Sequence, residues 1–353
     1  MLTAAAISPE PIAYLSEILL GSGETQSLPV SKLKDCLDLA HKNHVDVRWL
    51  QALPNTQLGQ MPDVAEWANK ALAEEQARIT NALSHLETIC SEFQHQGCEV
   101  TVIKSLDHWP DLGSDLDLYS NAPSKEVIRI MKKGFKAELA ERSWGDRLAG
   151  KWNFVIPGLP ESVEVHVGRL GQTGEHVEWA DSIPRRAIRV QRAQYAFRVA
   201  SPEDRLIIST LQRMYRHFYF RLCDIVDSAQ LIEADILDFT RLRMLSQPMG
   251  VWKGVAAYLV IVSDYVKSYR GKELLLPSEV LNTASFGGEQ LTFARDFLRV
   301  PIIPHSVSLY TSELTTLVRK GELRETFRLS LLPYLAAAAA VGQKLTGSDK
   351  GIW

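Results

Sequence analysis

Little in this sequence is extreme, and each shortage excludes something. Only 4 of the 353 residues are cysteine: Cys36, Cys90, Cys98 and Cys223. No two form a C-x-x-C pair, so neither a familiar zinc-finger spacing nor a disulfide framework is expected. Free thiols in a reducing compartment fit better, and a cytoplasmic location is the expectation. Net charge is also missing: 39 Lys and Arg stand against 42 Asp and Glu, a formal charge of -3. That excludes an overall basic field for nucleic acid, though not a local patch. Long apolar runs are lacking too. The most apolar stretch, "LSLLPYLAAAAAVG" (329–342), is too short to span a bilayer and contains Pro333. It reads as a buried C-terminal helix. The N-terminal "MLTAAAISPEPIAYL" has no basic start and no long apolar core, so no secretory leader is expected. There is no internal repeat, and low complexity is limited to five alanines at 336–340.

What is present is a change of period along the chain. Up to residue 97 the apolar spacing is helical. "EPIAYLSEILLG" ends at Gly21, "SKLKDCLDLAHKNHV" opens on Ser31 as a cap, and a long helix runs from about Pro62 to Gln96. From 98 to 200 the period shortens. "CEVTVIK", "DLDLY", "FKAELAE", "KWNFVI" and "SVEVHVG" read as strands, and "SKEVIRIMKK" as a helix capped by Ser124 and closed by Gly134. "PGLPE" (157–161) joins two of these strands as a hairpin, and "IRVQRAQYAFRV" is either a further strand pair or an irregular extended segment. After Ser201, "SPEDRLIISTLQRMYRHF" has the serine cap, early proline and early acids of a helix start, and helices follow to about 345. The expected fold class is α+β, a small mixed sheet flanked by helical regions. The expected divisions are 1–97, a helical region packing on the sheet core, then the core at 98–200, then a helical domain at 201–353.

The chemistry concentrates in "LGSDLDLYS" (112–120). Leu116 and Leu118 alternate with Asp115 and Asp117, so both carboxylates share one strand face, about 6.6–7 Å apart along it. Like charges so placed repel, and a structural strand has no need of them. Oxygen ligands on a strand suit a hard divalent cation, above all Mg²⁺, with Mn²⁺ as a second choice. "SVEVHVG" supplies a third acid: Glu164 and His166 share a face opposite Val163, Val165 and Val167. Gly113 and Ser114 form a turn whose N–H groups and hydroxyl suit phosphate oxygens. A solvated Asp-x-Asp pair on an edge strand is the plain alternative.

"GSDLDL" resembles the G-S-D-x-D core of the polymerase-beta-like nucleotidyltransferase superfamily. The order of further segments is similar to its uncharacterised bacterial nucleotidyltransferase family: "LDLAHKNHVDVRWLQAL" (37–53), "VIKSL" (102–106), "EVH" (164–166), "VASPEDRLIISTLQRMYRH" and "RLCDIVDSAQLI". The resemblance covers most of the chain. It implies a Mg²⁺-dependent transfer of a nucleoside monophosphate from a nucleoside triphosphate to an acceptor hydroxyl, with pyrophosphate released. Asp115, Asp117 and Glu164 would be the catalytic and metal-binding residues. Lys104, Ser105, Gly113, Ser114 and His166 would bind the nucleotide. The sequence departs from the family at Lys104, where a glycine would stand before Ser105. A small molecule, a protein side chain or an RNA end could be the acceptor, and the mild acidity argues against a large RNA.

Two other readings use the same residues. One is a nucleotide-binding scaffold without turnover, which Lys104 favours. The other is a metal-dependent phosphodiester hydrolase. Outside the motif, Arg213, Arg216 and His217 read as an ordinary polar helix face, with contact to the triphosphate as the alternative. Asp224 and Asp227, at i and i+3 on one side of a helix, fit either a bound cation or surface pairing with Arg221. Trp152 and Trp179 read as core, with base stacking as the alternative.

Overall fold

The computed structural model describes residues 10–21, 28–335 and 338. Seven strands build one mixed sheet: β1 (Val100–Val102), β2 (Asp115–Ser120), β3 (Glu138–Leu139), β4 (Lys151–Val155), β5 (Ser162–Val167), β6 (Ile188–Arg192) and β7 (Tyr195–Val199). Their order is β3-β4-β5-β2-β1-β7-β6. β2 runs parallel to β5 and β1 parallel to β7, while the other neighbours are antiparallel. The pairing of β2 with β5 sets Asp117 directly beside Glu164. Hairpins across 157–161 and between β6 and β7 form as the turn residues dictate.

Alternation then divides the molecule into two cores. Leu116, Leu118, Val163 and Val165 point to one face of the sheet. There they meet Leu83, Leu86, Ile89 and Phe93 of the helix Pro62–His95, and Val127, Ile130 and Met131 of the helix Ser124–Phe135. The opposite face carries Asp115, Asp117 and Tyr119. Tyr119 joins a second core, built from Trp49 and Leu50 of the helix Asp46–Ala52, Leu206 and Ile207 of Pro202–Thr210, and Val255 and Tyr258 of Trp252–Arg270. Each buried Leu or Val contributes about 1.5–3 kcal/mol against exposure, so both cores are substantial.

Several expectations need correction. Residues 1–97 do not pack as one unit on the sheet. The long helix does, but Ile12, Leu15, Leu39 and Trp49 share a core with the C-terminal helices. The reason is the stripe they present, which matches the apolar side of Trp252–Arg270. Ser31 is not a cap: a short 3-10 turn, Val30–Lys32, precedes the helix Leu33–Lys42. Ser124 is the first residue of its helix, and its hydroxyl accepts from Trp152 Nε1 at 3.3 Å. That helix runs through Gly134 and closes on Lys136 in the left-handed region at φ 52°. "FKAELAE" shrinks to two strand residues, and the short helix Trp144–Ala149 follows with a Ser143–Asp146 capping box. Within 201–353 a small second sheet appears, β8 (Tyr219–Phe220), β9 (Thr292–Ala294) and β10 (Phe297–Arg299), in the order β8-β10-β9. The C-terminal apolar run is described to residue 335 and at 338: Leu329 and Leu332 are buried, Tyr334 and Ala338 are exposed, and the other four alanines lie outside the described residues. Ser201 does cap its helix, accepting from Asp204 N at 3.3 Å. No helix among the described residues is long and apolar enough to cross a membrane.

Candidate active site

The face of β2 and β5 that carries acids opens into a cleft of about 240 Å³. Strand alternation supplies one wall: Asp115 and Asp117 from β2, Glu164 and His166 from β5. Lys151 comes from β4, and Lys104 and Ser105 from the turn after β1. The other wall belongs to the second core: Gln212, Arg213, Arg216, His217, Tyr219 and Arg221. His44, His108, Gly113 and Ser114 close the end. All eight residues read from the sequence as site candidates therefore line one cavity. Five formal cations face three carboxylates in it, a balance that suits an anionic ligand.

The acids are crowded. Asp117 is only 6 % exposed. Burial, then the charges of Glu164 and Asp117, push the Asp115 carboxyl up to about 6. Ser114 Oγ donates to Asp115 at 3.2 Å and offsets little of this. One oxygen each of Asp117 and Glu164 and one nitrogen of His166 lie within 4.8 Å of one another, and Asp115 stands outside that compact group. His166 Nε2 is 3.6 Å from Asp117 Oδ1. Burial, then Lys104, holds the His166 pKa well below the usual histidine value, so its ring is neutral and able to ligate.

Two lysines answer the acids from within the chain. The Lys104 ammonium pairs with Asp117 and stands 3.9 Å from Glu164. Lys151 lies 2.9 Å from Glu164 and 3.1 Å from Asp146. Burial works against the Lys151 charge, but these carboxylates raise its pKa overall. Lys104 has φ 62°, the left-handed conformation glycine adopts freely. The turn thus combines a backbone conformation that glycine adopts freely with a cationic side chain. Ser105 spends its polar groups on that turn. Its N–H donates to Ile103 O at 2.7 Å, its hydroxyl donates to Asp115 O at 3.2 Å, and the same oxygen accepts from Asp117 N at 2.6 Å. Ser105 therefore fixes the position of the Asp-x-Asp strand. Arg78 of the long helix fixes the loop before it, donating to Leu112 O at 2.8 Å and Gly113 O at 3.3 Å.

The basic wall is where sequence reasoning fell short. Arg213 and Arg216 lie on a π-helical segment, Leu211–Arg216, rather than on a solvated α-helical face, and both line the cleft. Such segments widen a helix and re-aim its side chains. Arg213 is buried against Asp224 at 2.7 Å. Asp224 and Asp227 are buried, not surface, residues: Asp227 pairs with Arg48 at 2.7 Å and His108 at 2.5 Å. Asp224 accepts from the Arg221 backbone N–H at 2.7 Å. Trp179 is core, donating to Asp204 at 2.9 Å, and Trp152 packs under the Arg142 guanidinium at 3.7 Å. Lys151, His44 and His108 gave no signal in the sequence, because nothing local marks them. They reach the cleft only through strand pairing and loop packing.

Comparison with protein-family models, with curated proteins and with solved structures returns no match. The reading of the site rests on its residues and their geometry.

Proposed function

We propose that the cleft is the active site of a Mg²⁺-dependent nucleotidyltransferase that takes a nucleoside triphosphate. The observation that carries this reading is the pairing of Asp117 with Glu164 across parallel strands, facing a wall of arginines. The donor set fits the metal: crowded carboxylates, one of them with a pKa raised to about 6, call for a cation. Asp115, Asp117 and Glu164 would hold it. When bound, Mg²⁺ neutralises phosphate charge and makes an acceptor hydroxyl more acidic.

The remaining work belongs to the chain. Arg213, Arg216 and Arg221 draw in the triphosphate and balance charge as the bond from the α-phosphorus to the departing pyrophosphate breaks. Lys151 holds Glu164 in place, and Ser105 holds the Asp-x-Asp strand, so the acids do not reorganise during reaction. Gly113 and Ser114 lie beside this wall, where phosphate oxygens would approach. His166 sits behind Asp117 as a neutral ring.

A second reading has its own observation. The Lys104 ammonium already sits on Asp117, where a metal would compete with it. A scaffold that binds triphosphate through lysine and arginine, without turnover, fits that pairing. The deciding experiment supplies four α-labelled nucleoside triphosphates, Mg²⁺ and a fractionated lysate to wild type and to Asp117→Asn. Label transferred to a fraction with pyrophosphate released, both lost in the variant, supports the transferase. Triphosphate bound by both proteins without transfer supports the scaffold. A nucleotide phosphodiester supplied in place of the triphosphate, and cleaved by wild type but not by the variant, points to phosphodiester hydrolysis.

A further inference from the structure

At the end of the cleft away from the acids, three softer ligands converge. We propose that His44, His108 and Cys223 form a second metal site, of the kind that takes Zn²⁺, with an open position facing the cleft. One ligand atom of each lies within 4.8 Å of the others. His108 Nε2 is 3.8 Å from Cys223 Sγ. With Zn–S near 2.3 Å and Zn–N near 2.0–2.1 Å, tetrahedral ligands stand about 3.5 Å apart. A shift of a few tenths of an ångström closes that pair, and the His44 nitrogen, within 4.8 Å of both, needs ring movement of up to about 1 Å.

The surroundings are built for ligation. Asp227 lies 2.5 Å from His108 Nδ1, which places the ring proton there and leaves Nε2 turned toward the sulfur. A carboxylate holding the far nitrogen is the usual support of a metal-binding histidine. Asp227 is itself held by Arg48 Nη1 at 2.7 Å. His44 Nδ1 is buried and has no hydrogen-bond partner among the described residues. Its backbone is left-handed, φ 52°, as is common one residue past the C-cap of a helix, here Leu33–Lys42. The ring lies where a side chain on Gly113 would stand, 2.8 Å from an added Cβ. Cys223 sits in the first turn of the helix Leu222–Glu233; burial raises its thiol pKa, so a metal binds there by displacing the proton.

The charge around the three ligands is mixed: Asp227 and Arg48 stand behind His108, and Arg213 and Arg221 line the same cleft as His44. Two imidazoles and a thiolate suit Zn²⁺ and disfavour Mg²⁺ or Ca²⁺, which prefer oxygen. His44 and His108 line the cleft while Cys223 lies behind them, so the fourth position opens toward bound ligand. This site does not depend on nucleotidyl transfer, and either can fail without the other.

The test uses the full chain, stripped with chelator and then given Co²⁺ or Zn²⁺ alone. About one equivalent of Co²⁺ should bind with a thiolate-to-cobalt charge-transfer band and the strong visible bands of tetrahedral coordination, and any further equivalent, at the carboxylates, should add neither. Zn²⁺ should bleach both. Cys223→Ser should remove the charge-transfer band. Asp227→Asn should weaken Zn²⁺ about 10–100-fold. Asp117→Asn should change neither band. Cys223 is fully buried, so His44→Gln, on the cleft wall, carries the test if Cys223→Ser does not fold; circular dichroism reports folding for each. His44→Gln should lose the tetrahedral spectrum. No bound cobalt, an octahedral spectrum without the thiolate band, or a band indifferent to His44→Gln would overturn the proposal and leave a hydrogen-bonded His108–Cys223 pair.

Discussion

Lys104 concentrates the question of what this cleft does. It occupies a left-handed position that costs a side-chain-bearing residue about 1–2 kcal/mol, and its ammonium lands on Asp117. Lys104→Gly removes both the backbone cost and the competing charge. Mg²⁺ affinity measured by calorimetry should rise on the order of tenfold, since one close positive charge is worth upward of 1 kcal/mol even when well solvated. Unchanged affinity would mean that the lysine swings clear without cost. Asp115 makes a prediction about pH. Its carboxyl titrates at about 6 rather than at the ordinary 3.8, chiefly through burial. Below 6 the proton competes with the metal, so Mg²⁺-dependent triphosphate binding should strengthen as pH rises through 6 and then level off. For metal-free protein the sign reverses. The folded form keeps a proton that the unfolded chain has released, so the Asp115 contribution to stability is full below 3.8 and lost as pH rises to about 6. Denaturant midpoints across that window, compared with Asp115→Asn, separate this residue from the rest. At this scale the sequence disclosed a good deal. Asp115, Asp117, Glu164 and His166 were legible because alternation within a strand fixes which side chains share a face. Lys151 and His108 were not, because their relation to the acids is made by pairing and packing between distant segments.

At the scale of elements, buried ion pairs join pieces that propensity alone would leave separate. Arg48 of the helix Asp46–Ala52 reaches Asp111 at 2.5 Å in the loop before β2, and Asp227 on a C-terminal helix. The helix Val307–Lys320 is tied similarly: Glu313 is wholly buried and 2.9 Å from His176 Nε2. Burial raises the Glu313 carboxyl to about 7. Glu313→Ala strands the buried His176 and should cost about 3–5 kcal/mol in a denaturation experiment. Glu313→Gln, which keeps an acceptor for the ring, should cost clearly less. Equal losses would mean that packing, not the pair, holds this helix. Helix existence was legible here, and helix ends less so. Ser31 looked like a cap, but the chain makes a tighter turn first. The π-helical segment at 211–216 has no signature in the spacing of its apolar residues, since Leu211 and Met214 suit an ordinary α-helix equally well. That is why Arg213 and Arg216 looked like surface residues.

Across the whole molecule, the order of regions along the chain was readable and their partnership was not. Helical, mixed and helical stretches follow the change in apolar period. Which helix packs where depends on complementary faces far apart in sequence. The helices before residue 53 pack on one another and on the long helix, and Glu10–Leu20 also packs on Trp252–Arg270 and Leu222–Glu233, so a chain beginning at residue 62 would bare faces of both C-terminal helices. Such a truncation should be recovered as aggregate, and the intact chain as a single species, by size-exclusion chromatography. A folded, monodisperse truncation would show that the second core closes without them.

The cleft lies on the seam between the two cores, and its walls differ in kind. The acids stand on neighbouring strands of a mixed sheet, clamped by Ser105 and Arg78. The arginines stand on a widened helical turn and the short strand after it. One wall is thus built on paired strands and the other on a single turn, so substitutions between 212 and 221 can alter the charge of the basic wall while the acids keep their places.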